Sequence, residues 1–328
     1  MQHMKKLIVT FIALIIIGIG LIITLYNPPQ TKADNKKIMS AFDGIYEASG
    51  AEQLSDGRVV IIEDEKSSAI KNILTFESSN RVVVNQLVPD QSKIKTKIVL
   101  NDLEGIAIDA NDYLYVITSH SRSAKGKTKN NRSLLARFSV KNNSISDYKE
   151  VSIKDSLHQF INRRMGINAI NIEGLSFNDK KDKLLIGLRE PVVKGKSLIL
   201  YLDNPYEIFD EQDAELEFSN QIVQLDLGGG GIRSLYYDKK IGGYLIVNEI
   251  KNRRGQLRSK VWLWSGVPED EAHMLIIPGM ENIKNIEGIT SIKLKDKDRI
   301  LIVADDGQKR SLKGSHFAII KYSDLIIE

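Results

Sequence analysis

Five stretches of the chain repeat one short pattern, and such a repeat constrains the fold more tightly than composition does. Four are built on Glu: Glu47-Ala-Ser-Gly50, Glu104-Gly105-Ile106, Glu173-Gly174-Leu175 and Glu287-Gly288-Ile289. The fifth, Gly231-Ile232-Arg233-Ser234-Leu235, carries Arg where the others carry Glu. An apolar or aromatic residue stands beside each: Tyr46, Leu103, Ile172, Ile232 and Ile286. From 47 through 104, 173, 233 and 287 the intervals are 57, 69, 60 and 54 residues. Self-similarity at this spacing indicates a radial or solenoid repeat, in which each unit buries its faces against its neighbours. It also delivers one polar residue several times to the same place.

The same order of elements is expected behind each repeat position. A first strand leads into a turn rich in Asp, Asn, Gly and Lys. A second strand then returns: Val59–Ile62, Tyr113–Ile117, Leu184–Gly187, Tyr244–Val247 and Ile300–Val303. Asp-Gly and Asn-Asp turns between β-rich runs are hairpin signals. Third strands are expected at Ile73–Phe76, Ser133–Phe138, Ser197–Leu202, Lys260–Trp264 and Ser315–Tyr322. Fourth strands are expected at Lys97–Leu100, Asp147–Ile153, Asn220–Leu225 and His273–Ile277. Many of these runs are apolar throughout, as in sheets buried on both faces. The fold class is therefore all-β, a β-propeller with five blades; the long interval from 104 to 173 leaves six open. The excess reads as an insertion, Asp155–Asn168, with Leu157, Phe160 and Ile161 at helical spacing. The last blade has no room for a fourth strand after Tyr322. Ile38–Phe42 is expected to supply it and close the ring, removing an exposed sheet edge.

A different signal opens the chain. Lys5-Lys6 precedes Leu7 to Tyr26, an uncharged apolar run about as long as a helix needs to cross a bilayer. Lysines before the run and none inside favour a cytoplasmic N-terminus, with the body on the far side. The run exceeds the apolar region of a cleavable signal, which favours an anchor. Thr31-Lys32-Ala33 keeps cleavage as the alternative. Residues 1–26 are thus a cytoplasmic tip and transmembrane helix or signal, 27–40 a linker and 41–328 the propeller. The expected location is the inner or cytoplasmic membrane, body on the periplasmic or extracellular side, or secretion if the segment is cleaved. The membrane is then one partner, through the N-terminal helix. There is no cysteine, which excludes disulfides and thiolate metal sites. Without Lys5, Lys6 and Lys32 the chain has 43 basic against 42 acidic residues. Its basic clusters, 125–132 and 251–260, lie in polar loops without interleaved aromatics, so nucleic acid is not an expected partner.

The hairpins concentrate the chemistry. The second strand is antiparallel to the first, so its end returns to the side where the repeat began. Those ends read Glu63-Asp64-Glu65, Ser119-His120-Ser121-Arg122, Arg189-Glu190, Asn248-Glu249 and Asp305-Asp306. Each blade should bring two polar elements to one mouth of the channel. Carboxylates gathered there cannot all stay charged and unpaired. Glu47, Glu104, Glu173 and Glu287 are candidate ligands of Ca²⁺ or another divalent cation, which takes many oxygen ligands. Arg122, Arg189 and Arg233, with Asp305, are candidates for holding a small anionic ligand or for pairing with the glutamates. His120 and Glu173 are the candidate catalytic acid or base. No organic cofactor is indicated. A metal with an open position would activate water for ester or phosphoester hydrolysis. A propeller that binds a ligand or an envelope protein without turnover is the alternative. The run Gly228-Gly229-Gly230-Gly231 precedes a strand and not a helix, which argues against a phosphate cradle.

The set Glu47-Ala-Ser-Gly50, Asp102-Leu-Glu-Gly105, Ser119-His-Ser-Arg122, Asn162-Arg-Arg-Met-Gly166, Asn171-Ile-Glu-Gly174, Gly187-Leu-Arg189, Gly231-Ile-Arg-Ser234 and Asn285-Ile-Glu-Gly288 resembles a bacterial family. That family is domain of unknown function 3616, itself similar to the esterase-like phytase propellers. The resemblance spans about residues 43–307 and implies a propeller. Its implication of hydrolysis is an analogy of fold.

Overall fold

The structure is a computed structural model that describes residues 38–64, 70–98, 100–121 and 130–328. The expected membrane segment lies outside them. Among the described residues no helix is long and apolar enough to cross a membrane. The body is a five-bladed β-propeller, built from five antiparallel sheets.

The first four blades follow chain order. Blade 1 comprises Ala48–Gln53, Val59–Glu63, Ile70–Thr75 and Asp90–Lys93. Blade 2 comprises Leu103–Ile108, Leu114–Thr118, Leu134–Lys141 and Ser144–Ser152. Blade 3 comprises Asn171–Phe177, Leu184–Glu190, Lys196–Leu202 and Val223–Asp226. Blade 4 comprises Ile232–Asp238, Gly243–Lys251, Leu257–Trp264 and His273–Ile276, with the C-terminal Ile326–Ile327 added at its outer edge. Blade 5 takes Ile286–Leu294, Lys297–Ala304 and His316–Ile320 from the end of the chain. Its outermost strand is Ser40–Ala41, from the beginning. The closing strand thus falls inside the expected Ile38–Phe42.

The apolar runs are explained by what lies on either side of each sheet. Val60 and Ile62 pack with Leu114 and Val116 of blade 2, while Val59 and Ile61 pack with Leu301 and Val303 of blade 5. Successive residues of a strand point to opposite faces, and here both faces meet another blade. Five such interblade cores make up the interior.

One expected strand is misplaced. The outer strand of blade 1 is Asp90–Lys93 rather than Lys97–Leu100. Its residues Asp-Gln-Ser-Lys are exposed or half-buried, as an edge strand facing water should be, so it has no apolar signature. Leu100 instead plugs the core between blades 1 and 2 from a loop. The expected insertion is a helix, Lys154–Met165, ended by Gly166 at φ 70°. Leu157 and Ile161 anchor it to the core between blades 2 and 3.

Candidate functional site

Each first strand carries a β-bulge at one equivalent place. Ala48 pairs with Glu63 and Gly50 with Ile62, so Ser49 is skipped. By the same break in register Glu104, Glu173, Arg233 and Glu287 are skipped in blades 2 to 5. A bulge re-aims a side chain out of the pleat. This corrects the repeat: in blade 1 the position is held by Ser49, and Glu47 lies two residues before it. Glu47 belongs to an outer set with Asp102, Asn171, Gly231 and Asn285, each two residues before its bulge. The second strands return beside that set. Asp64 N donates to Glu47 O at 2.9 Å, Ser119 N to Asp102 O at 2.9 Å and Asp305 N to Asn285 O at 2.8 Å.

The mouth divides into two halves of opposite character. In one, Arg233 is 7% exposed and gathers carboxylates from three strands. Its Nη1 donates to Glu173 Oε1 and Oε2 at 3.0 and 2.8 Å. Its Nη2 bonds Glu287 Oε1 and lies 3.7 Å from Glu249 Oε2. Arg189, at the rim, also bonds Glu173 Oε1. Burial works against the Arg233 charge, yet Glu287, Glu173, Glu249 and Glu104 together raise its pKa. Two of the expected metal ligands, Glu173 and Glu287, are therefore held by arginine.

In the other half Asp64, Asp102 and Glu104 each bring a carboxylate oxygen to within 4.8 Å of the others. Glu104 is 9% exposed. Burial, with Glu173, Glu287, Asp64 and Asp102 nearby, pushes its carboxyl well above the usual carboxylate range. Burial and the neighbouring Asp102 push Asp64 up to about 8. Glu47 adds to the negative field at both Asp64 and Asp305, and Asp305 is pushed up to about 6, burial being the first cause. Of the three clustered groups only Asp102 has an arginine in contact among the described residues: Arg132 Nη1, at 2.9 Å from Oδ2.

His120 is placed elsewhere. Its ring is fully buried and stacks on His158 of the helix Lys154–Met165 at 6.2 Å between centroids. Burial, then His158 and Lys154, lower its pKa to about 3. Neither ring nitrogen has a hydrogen bond among the described residues. The backbone at His120 is left-handed, φ 57°. Arg122 lies outside the described residues.

Below the mouth the axis closes. A narrow space beneath Glu104 and Glu173 has room for about one water molecule. Ala51, Ile106, Leu175, Leu235 and Ile289, each two residues past its bulge, form an apolar belt at this level. A Cβ on Gly105 would stand 2.8 Å from Leu175 Cβ, which is why the residue next to the bulge is small. Gly231 is tighter still: a Cβ there would come 1.7 Å from Arg189 O and one on Gly230 2.3 Å from Glu249 O, so the end of the glycine run is a packed joint between blades 3 and 4. Asp64 and Asp102 were missed as ligands because the repeat was anchored on glutamate. Their signal is the acidic or amide residue two positions before four of the five bulges, Gly231 being the exception, and the first residue beyond the returning strand.

None of the curated proteins compared with the chain matches it. Solved structures with a similar course include the α-L-arabinofuranosidase PaAbf62A from Podospora anserina, at 10% identity and TM-score 0.41, covering 89% of this chain and 93% of that one. Virginiamycin B lyase from Staphylococcus aureus aligns at 8% identity and TM-score 0.37, over 86% of this chain and 98% of that one. The β-propeller domain of Cps50 (Swd1) from Myceliophteria thermophila aligns at 11% identity and TM-score 0.35, over 83% of this chain and 70% of that one. Residues 141–320 match the family described as protein of unknown function (DUF3616), and the chain belongs to that family.

Proposed function

We propose that the mouth of the propeller binds a divalent cation through Asp64, Asp102 and Glu104, with Glu47 and Asp305 beside them, and that the cation holds an anionic ester or phosphoester for hydrolysis. The observation that carries this is Glu104: a carboxyl about nine-tenths buried, aimed at two other carboxylates, with no cationic side chain in contact among the described residues. Gathering three carboxylates there, with an arginine on Asp102 alone among the described contacts, is costly unless a proton or a cation compensates. All-oxygen donors suit a hard ion such as Ca²⁺. The cation would supply a Lewis acid and an activated water. Arg189, whose side chain is 43% exposed, has donors left over after Glu173 to orient the anionic group. The uncharged apolar run at 7–26 supports export of the body and a membrane tether.

A second reading, binding without turnover, is favoured by His120, whose ring is buried on His158 and so is not offered at the mouth as an acid or base. Thermal melting of the full-length chain, kept soluble with detergent, tests the site. Ca²⁺ at a hundred times its Kd should stabilise by about 2.7 kcal/mol, a rise of roughly 5 °C or more. Glu104→Gln should remove that rise. A wild-type melt that no divalent ion shifts would sink the cation site. Ca²⁺ binding without cleavage of p-nitrophenyl acetate or p-nitrophenyl phosphate would select the second reading.

A further inference from the structure

The turn Ser119-His120-Ser121 meets the mouth through its serines. Both hydroxyls reach Asp102 Oδ2, Ser121 at 3.1 Å and Ser119 in a shorter contact, and they lie 2.8 Å from each other. Arg132 completes the enclosure. Its Nη1 lies 2.9 Å from Oδ2 and donates to Ser121 Oγ at 3.1 Å, while its Nε donates to Asn101 Oδ1 at 2.8 Å. The backbone ties the two segments together, since His120 N donates to Arg132 O at 2.8 Å. Asp102 itself is held in the left-handed region at φ 65°, with its carbonyl bonded to Ser119 N.

Two hydroxyl donors occupy the two lone-pair directions of Oδ2, and the Arg132 charge stands against the same oxygen. Oδ2 is therefore spent on protein contacts, and Oδ1 is the oxygen left for a cation. We propose that Ser119, Ser121 and Arg132 form a clamp that positions Asp102 as a one-oxygen ligand of the cation site. The proposal rests on the cation reading above. It assigns the serines to the site and the histidine to the packing of the helix Lys154–Met165.

Partners that orient a ligating carboxylate typically account for about 10–100-fold in metal affinity. Titration calorimetry of CaCl₂ into the full-length chain should show a loss of that size in Arg132→Gln and a smaller loss in Ser121→Ala. Arg132→Lys, which keeps the charge but not the fork, should recover part of the loss, whereas a residue needed only for packing would not be rescued by charge. His120→Phe should leave the affinity within about twofold of wild type; a loss of about tenfold there would return the histidine to the site and overturn the division of roles. If Arg132→Gln does not fold, Ser121→Ala decides, with its metal-free urea midpoint showing that the fold is intact. Wild-type affinity in both Arg132→Gln and Ser121→Ala overturns the clamp and leaves the cation site standing. A wild-type chain that binds no Ca²⁺ overturns both.

Discussion

Glu52 lies on the same inner strand as Ser49, three residues further from the mouth, and is 5% exposed. Its Oε2 accepts from Thr290 Oγ1 at 3.2 Å, while Lys181 stands near enough to lower its pKa without an ion pair among the described contacts. Burial dominates and raises the carboxyl from 4.5 to about 7. A raised folded pKa means that the folded state binds the proton more tightly. The resulting stability is complete below pH 4.5 and is lost as pH rises through 7. The difference corresponds to about 3 kcal/mol. Glu52→Gln keeps an acceptor for Thr290 and removes the titration, so the fall in urea stability between pH 5 and 8 should shrink by about that amount. Identical slopes in the variant and the wild type would mean that Glu52 is ionised throughout. Residues of this kind were not legible beforehand. Glu52 follows Gly50-Ala51 like any strand residue, and only the neighbouring blade decides that it is buried. Glu104 was legible because its repeat is intact, whereas Glu47 was misaligned because a bulge changes the geometry without changing the residue types.

At the scale of elements, the hairpins, the ring order and the closing strand could be read from turn residues and apolar runs. The outer strand Asp90–Lys93 could not, since an exposed edge needs no apolar residue. Neither could the small hairpin of Val82–Val83 with Gln86–Leu87, which clasps the incoming chain: Ser40 Oγ donates to Val83 O at 3.0 Å, and Gln86 bonds both Ile38 O and Ile319 N. The joint between blades 3 and 4 gives a sharp test. Gly231→Ala places a Cβ against the carbonyl of Arg189, which is backbone and cannot swing aside. The two blades must part, at a cost on the order of 3 kcal/mol. Arg189 and Arg233 should then lose their shared grip on Glu173. A melting temperature unchanged from wild type would show that the joint yields freely.

For the whole molecule, the raised carboxyls of Glu52, Asp64, Glu104 and Asp305 act in one direction. All favour the protonated folded state, so metal-free stability should fall as pH rises from about 5 to 8. A bound cation would replace the proton at the mouth. Saturating Ca²⁺ should therefore flatten most of that slope and leave the part belonging to Glu52. A melting curve series with equal slopes in EDTA and in Ca²⁺ would contradict the linkage. The closure of blade 5 has a consequence in time as well as in space. Ser40 pairs with Phe317, a sequence separation of 277 residues (317−40). Contacts so distant along the chain form slowly, because loop entropy must be overcome before they give anything back. The ring cannot close until the last strand of blade 5 has been made, so the blades before it assemble around an open seam.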